Sequence, residues 1–274
     1  MITLALVLAA VALLAGLTYW ELVLAEGVHL GPRAVALLYD AIARRYNDIK
    51  QFDPAYEKWF IGEPLARALS PLSDPLVLDV ATGTGRLPRT LLAQPNFHGY
   101  VVGLDSSRAM LAQAALHPSD RLTLIWQEAA RLPFDADTFD AVTCLEALEF
   151  MPDTRQALAE IVRVLRPGGV LLATNRVGLW ARFLPGHTQS STALEALLNS
   201  FGLEHIQTQT WQVEYNLVWA IKPGSAIEPR CKTWLDMLRC PHCKRRIKRD
   251  DHAFTAECGR KYGIALDGVI EMMK

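Results

Sequence analysis

Val77-Leu-Asp-Val-Ala-Thr-Gly-Thr-Gly-Arg86 is an apolar run that breaks into a glycine-rich turn and then into a helical pattern, Arg86 to Ala93. Glycine permits positive φ and lets a ligand come close to the backbone, so such a turn directly after a strand is a candidate binding loop. The flanking chain keeps the same rhythm. Tyr100 to Leu104 is apolar and closed by Asp105, with a helix over Ser107 to Ala115. Leu122 to Trp126, Phe139 to Cys144 and Gly169 to Thr174 are further apolar runs, and Thr154 to Leu165 reads as a helix. Upstream, Ala34 to Arg45 and Pro54 to Leu69 have helical patterns. Strands alternating with helices of this length predict an α/β fold, a doubly wound parallel sheet covered on both faces. Ligands of such sheets bind outside the carboxyl ends of the strands. Asp79 to Gly85, Asp105, Gln127 to Ala130 and Leu145 to Glu149 fall there.

Asp105 stands twenty residues after Gly85 at the end of the second run. An acid in that position can accept hydrogen bonds from both hydroxyls of a ribose, which with the glycine turn suits an adenosine-bearing cofactor. An ordinary strand-to-helix turn with a solvated Asp would read the same way. A dinucleotide fingerprint would need glycine at position 88, where Pro88 stands, and this weakens a dehydrogenase reading.

Four segments together resemble the class I S-adenosylmethionine-dependent methyltransferases. Val77 to Arg86 is similar to their first motif and Val101-Val-Gly-Leu-Asp-Ser-Ser107 to their second. Glu128 to Val142 resembles the third and fourth, and Leu165-Arg-Pro-Gly-Gly169 the turn before the fifth strand. The branch that includes quinone-biosynthesis methyltransferases has the most similar first motif. The resemblance implies a Rossmann-like sheet and S-adenosylmethionine as cofactor. Asp79, Ala81, Thr82, Gly83, Thr84 and Gly85 would hold its methionine end, Asp105 and Ser106 the ribose, and Glu128 and Ala129 the adenine edge. Tyr39 and Tyr46 would belong to the opening helix that lids the pocket. Two departures stand out. Ala81 replaces a common glycine, which a tight turn tolerates at negative φ, and Glu128 replaces a more usual aspartate. No Asn-Pro-Pro-aromatic motif follows the fourth strand, so methylation of base amino groups or glutamine is not expected. Glu146 and His187 are the candidate catalytic groups on the acceptor side, beside Glu149, which also reads as a solvated helix-start acid; Cys144 reads as a small buried residue.

Ile2 to Trp20 carries no charge. Nineteen residues at about 1.5 Å each would cross a hydrocarbon core of roughly 30 Å. Tyr19 and Trp20 suit the interface. A signal peptide ending at Val23-Leu24-Ala25 and a buried core helix are the competing readings. The first lacks a preceding Lys or Arg and the second lacks amphipathic periodicity. Arg33, Arg44, Arg45 and Lys50 follow the span, so the positive-inside rule predicts a single-pass membrane protein with its globular part on the cytoplasmic side. Confinement to a membrane surface raises the effective concentration of lipid-soluble molecules. The expected function is therefore a membrane-anchored methyltransferase acting on a small lipophilic acceptor: a quinone, lipid or pigment precursor. The alternative is a non-catalytic methyltransferase-like subunit of a membrane complex.

The expected domains are an anchor over 1–26, a methyltransferase domain over 27–222 and a small tail over 223–274. The chain has 274 residues and a formal charge of −1. That balance excludes a generally basic nucleic-acid coat, although the tail from Lys222 onward carries an excess of five positive charges. Lys244-Arg-Arg-Ile-Lys-Arg249 reads as a solvated hairpin or a contact for anionic headgroups. Five cysteines are too few for a disulfide framework. Cys240-Pro-His-Cys243 and Cys258-Gly-Arg-Lys-Tyr262 resemble the small zinc-ribbon family that includes a methyltransferase activator. Cys240, Cys243 and Cys258 are the candidate zinc ligands. Thr255 occupies the place of the expected fourth cysteine, and Cys231, His242 or His252 could complete the set.

Overall fold

The computed structural model describes residues 2–225, 233–250 and 253–273. Its helices are α1 (Ile2–Tyr19), α2 (Pro32–Ile42), α3 (Tyr46–Lys50), α4 (Pro54–Glu57), α5 (Glu63–Leu69), α6 (Arg86–Leu92), α7 (Arg108–Ala114), α8 (Thr154–Val164) and α9 (Ser191–Ser200). The strands are β1 (Leu76–Val80), β2 (Tyr100–Asp105), β3 (Leu122–Trp126), β4 (Phe139–Cys144), β5 (Leu165–Arg176), β6 (Glu204–Thr210), β7 (Tyr215–Ile221), β8 (Ile247–Arg249), β9 (Ala253–Ala256), β10 (Lys261–Gly263) and β11 (Ile270–Glu271). Eight of them form one sheet in the order β11-β3-β2-β1-β4-β5-β7-β6. Every pairing is parallel except those of β7, which runs antiparallel to both neighbours. This is the α/β arrangement expected from the sequence, and β3 and β4 keep the expected limits.

Three differences have local causes. The helical stretch from Pro54 to Leu69 is interrupted by a wide turn at Lys58–Gly62, where Gly62 lies so close to Gln94 and Thr90 that a Cβ would collide with both. The turn before the fifth strand is absorbed into it, because β5 starts at Leu165 opposite Phe139 and skips to Val170 opposite Ala141. Ala81 has φ +58° rather than a negative value. Its amide neighbour Thr82 donates to the Leu104 carbonyl at 3.0 Å, and this contact ties the turn to β2.

The core lies on both faces of the sheet. One side packs Leu78, Val80, Val142 and Leu171 against Leu158, Ile161 and Leu198, and the other packs Val77, Val101 and Ala141 against Leu65, Leu69, Leu87 and Leu91. Asp40 on α2 caps α7, since its Oδ1 accepts from the Ala109 amide at 3.0 Å and from the Ser107 hydroxyl. The opening helix is thereby fastened across the carboxyl ends of β1 and β2. Helix α1 is different. With the turn that follows it, it runs apolar from Ile2 to Leu24, and none of it is buried.

Residues 233–250 and 253–273 fold onto the same sheet. Strands β8, β9 and β10 make a small antiparallel sheet. Leu238, Phe254, Tyr262, Ile270 and Met272 join the main core. Trp234 stacks on Tyr100 at 6.2 Å, and the Asp135 amide donates to the Met237 carbonyl at 2.9 Å. Finally β11 lies parallel to β3, Ile270 opposite Ile125, and occupies what would otherwise be an open sheet edge.

Candidate functional site

The cavity sits where the topology predicts, at the carboxyl ends of β1 to β4. Its volume is about 400 Å³, and apolar surface predominates in its lining. The strand-end wall is polar: Gly83, Asp105, Ser106, Gln127, Glu128 and Ala129. Opposite it stand Val35, Leu37 and Tyr39 of α2 with Phe150 and Met151.

The binding loop is built by backbone geometry. Ala81, Gly83 and Gly85 all have positive φ, which turns Thr82 to Gly85 tightly before α6 begins. A Cβ on Gly83 would meet nothing within 4 Å, so the space beyond this residue is open to a ligand. Asp105 closes the loop. Its Oδ2 accepts from the Gly83 amide and its Oδ1 from the Ser107 amide, each at 2.7 Å. The Ser106 amide bonds this carboxylate as well, so of its four or so acceptor sites one stays open for a ligand hydroxyl. Burial pushes the Asp105 carboxyl up to about 6, opposed by those amide bonds. Asp79 lies deeper. Its Oδ1 accepts from the Thr143 hydroxyl at 2.6 Å, and burial pushes it up to about 7. Thr84 donates to Asn47 at 2.7 Å and so links the loop to the opening segment. These features fit the cofactor implied by the sequence: an open backbone cradle beside a buried acid that keeps one acceptor site for a ligand hydroxyl.

Tyr39 and Tyr46 both line the cavity, 6.0 Å apart. The Tyr39 hydroxyl donates to Glu26 at 2.6 Å. Glu146 also lines it, with φ +50° at the end of β4. Its amide donates to Thr174 Oγ1 at 2.6 Å, and its carboxylate takes Lys50 at 3.0 Å and Arg86 at 2.5 Å. Burial alone would raise Glu146, but the two cations hold its carboxyl below the ordinary value. Arg86 also grips Glu57 at 2.6 Å, giving a four-membered network of which sequence reading identified only Glu146. His187 is not among the lining residues. It meets His29 edge-on at 5.3 Å beneath α1, and burial together with His29 lowers its pKa. Glu149 is buried, not solvated, and accepts from the Tyr215 hydroxyl, with Arg176 3.8 Å away. No local spacing could have paired Glu149 with Tyr215, because they meet only through the antiparallel return of β7. Cys144 is fully buried, as its strand position suggests.

The sulfur atoms of Cys240, Cys243 and Cys258 lie within 4.8 Å of one another. Tyr262 Oη is 3.0 Å from Cys240 Sγ, and this contact with nearby amides outweighs burial and lowers the Cys240 thiol to about 7. Such a set can supply three thiolates to a tetrahedral zinc. His242 is exposed and outside the cluster, and Cys231 and His252 lie outside the described residues.

A methyltransferase domain family matches residues 78–173. The demethylmenaquinone methyltransferase of Streptomyces avermitilis is 33% identical over 160 residues, 58% of this chain and 67% of that protein. The Lactiplantibacillus plantarum protein of the same name is 41% identical over 140 residues, 49% of this chain and 59% of that one. An Agrobacterium fabrum ubiquinone/menaquinone biosynthesis C-methyltransferase is 34% identical over 142 residues, covering 49% of this chain and 55% of the relative. The chain thus spans roughly half to two thirds of the length of these relatives. A Haloferax volcanii complex of the Trm112 methyltransferase activator with a methyltransferase has a chain that aligns at TM-score 0.56 and 22% identity, over 68% of this chain and 98% of that one. An S-adenosylmethionine-dependent methyltransferase from Aquifex aeolicus aligns at TM-score 0.51 and 18% identity, over 67% of this chain and 98% of that one. At such identities the structural likeness establishes the fold. The chain belongs to the class I S-adenosylmethionine-dependent methyltransferases.

Proposed function

We propose that the chain is a membrane-anchored methyltransferase that uses S-adenosylmethionine to methylate a small lipophilic acceptor of the quinone-precursor kind, with its globular part on the cytoplasmic side. The observation that carries this reading is the cavity itself, a polar cofactor cradle at Gly83 and Asp105 facing an apolar wall at Val35, Leu37 and Phe150. The names of the relatives support the quinone class, and the unburied α1 supports the anchor.

When bound, S-adenosylmethionine supplies an electrophilic methyl group for in-line displacement. The protein's share is positioning and exclusion of water. Asp105 would orient the ribose through its remaining acceptor site, and the Ala81–Gly85 turn with Asp79 would hold the methionine end. Gln127, Glu128 and Ala129 would frame the adenine. Tyr39 and Tyr46 would close the lid, and Phe150 and Met151 would exclude water from the acceptor. Glu146 is held as an anion by Lys50 and Arg86, which suits it to fixing the lid's Lys50 against the cofactor turn better than to taking a proton. His187 stands apart from the cavity, and its placement supports a structural part under the anchor.

We also propose that the tail carries one zinc on Cys240, Cys243 and Cys258. Calorimetric titration of S-adenosylmethionine into the detergent-solubilised chain, followed by transfer of labelled methyl to demethylmenaquinone, tests the main reading. Cofactor binding with label in the extracted quinone is the expected result. Folded protein that binds no cofactor would instead favour the non-catalytic subunit.

A further inference from the structure

The foot of the apolar helix is built into the wall of the cavity. After Tyr19 the chain makes a wide turn over Trp20–Leu24. Ala25 and Val28 are then buried with Leu184, and Trp20 and Phe150 pack against that cluster. Trp20 stacks on His29 at 4.9 Å, and His29 Nδ1 is 2.9 Å from Glu21. Glu26 takes the Tyr39 hydroxyl at 2.6 Å and lies 3.7 Å from Arg176. Tyr39 and Phe150 meet edge-on at 5.8 Å, and both line the cavity. A single aromatic ring, Phe150, therefore belongs at once to the anchor's foot and to the acceptor wall.

The surface around this foot has the character of a membrane interface. Leu22, Val23, Leu30, Leu179 and Trp180 are exposed, and the Trp180–Phe183 turn packs beside the Trp20–Leu24 turn. At the rim of the cavity Leu37 is 67% exposed, with Arg33 exposed one helical turn before it. Arg182 stands exposed on the Trp180 turn. Exposed aliphatic and aromatic groups interspersed with arginines match the headgroup layer, where rings and guanidinium groups both find partners. Only seven residues separate Leu24 from Pro32, and the foot is folded rather than extended, so the rim is held close to the end of the helix.

We propose that the cavity opens on the bilayer leaflet itself. Trp20–Gly31 acts as a rigid foot that presses Leu30, Leu37 and Trp180 into the headgroup layer and turns Arg33 and Arg182 toward lipid phosphates. The acceptor enters sideways from the membrane, past Leu37, without crossing water. This rests on the reading of α1 as an anchor and deepens the lipophilic-acceptor reading.

The test uses the full chain reconstituted in vesicles of phosphatidylcholine and phosphatidylglycerol carrying a tritiated phospholipid. p-Benzoylphenylalanine is placed at Leu37, at Trp180 or, as reference, at Leu116. Leu116 is 68% exposed just beyond the end of α7, at the opposite end of the sheet from the cavity. On irradiation, positions 37 and 180 should take up lipid label at least fivefold above position 116. Equal labelling at 37 and 116, in protein that resists carbonate extraction, would overturn the proposal. A crosslinked dimer at position 37 in place of lipid would overturn it in favour of self-association. Protein that carbonate strips from the vesicles would refute the anchor on which the proposal stands. Because labelling needs no methyl transfer, failure of the quinone assay leaves this result separately readable.

Discussion

Asp79→Asn should make the cofactor-free protein more stable at alkaline pH while abolishing its response to S-adenosylmethionine. Asp79 is 2% exposed, and burial holds its carboxyl at about 7. In an unfolded chain the same group ionises near 3.9, so keeping it ionised in the fold costs roughly 4 kcal/mol. Because the folded value is the raised one, the stability contribution of this group is complete below about pH 4 and is lost as pH rises through about 7. Asparagine has no such loss, and the Thr143 hydroxyl, 2.6 Å from Oδ1, can rotate to serve an amide. The stability of the variant relative to wild type should therefore improve by about 2–3 kcal/mol between pH 5 and pH 8. At about 2–4 °C per kcal/mol for a domain of this size, the gap in Tm widens by roughly 5–10 °C. Asp105 titrates in both proteins, and only its coupling to position 79, which adds to the rise of Asp79, enters the comparison. Melting followed by circular dichroism at the two pH values, with and without cofactor, reads all of this. A Tm difference that does not change with pH would refute the reasoning, as would a variant that the cofactor still stabilises.

Asp105→Ala should remove cofactor binding in calorimetry, since it deletes the carboxylate tied to the Gly83 amide. With Asp105 intact, affinity should fall as pH drops through about 6, because the protonated carboxyl surrenders an acceptor site; the same titration at pH 5 and 7.5 checks this. Gly83→Ala should cost about 1 kcal/mol of stability from its positive φ, and more in cofactor affinity because the methyl enters the open cradle; melting and titration on one sample separate the two. Deleting residues 270–274 should weaken cofactor binding, because Met273 lines the cavity and the Met272 amide donates to the Trp126 carbonyl at 3.0 Å. Metal analysis should find one zinc per chain, lost in Cys243→Ser.

The part of the fold that was legible in sequence is the part in which each strand announces itself. Leu76 to Val80, Leu122 to Trp126 and Phe139 to Cys144 are apolar runs bounded by turn residues, and parallel strands buried on both faces must read so. Strand β6, Glu-His-Ile-Gln-Thr-Gln-Thr, gives no such sign, because it is an edge strand that is mostly exposed. Strand β11 is two residues long and was invisible to periodicity. In the site, Asp79, Gly83, Gly85 and Asp105 could be read because they cluster in one turn and the next strand end. The Lys50–Glu146–Arg86–Glu57 network could not, since its members are scattered between positions 50 and 146 and meet only after folding. The sign of φ at Ala81 was likewise beyond sequence, because the hydrogen bond from Thr82 to Leu104 that fixes the turn is made to another strand.

The pairing of Ile270 with Ile125 has a consequence for how the molecule is made. During synthesis β3 emerges long before its edge partner, and until residues near 270 arrive the backbone groups on its outer edge are bare. An uncovered strand edge is a template for pairing with other chains, and contacts so distant in sequence form slowly. If α1 anchors the chain as proposed, this half-finished sheet would be held among its own kind at high local density. A chain that stops before residue 270 is therefore expected to be a sticky, cofactor-deficient species instead of a smaller working protein, one that chaperones or proteases would meet first.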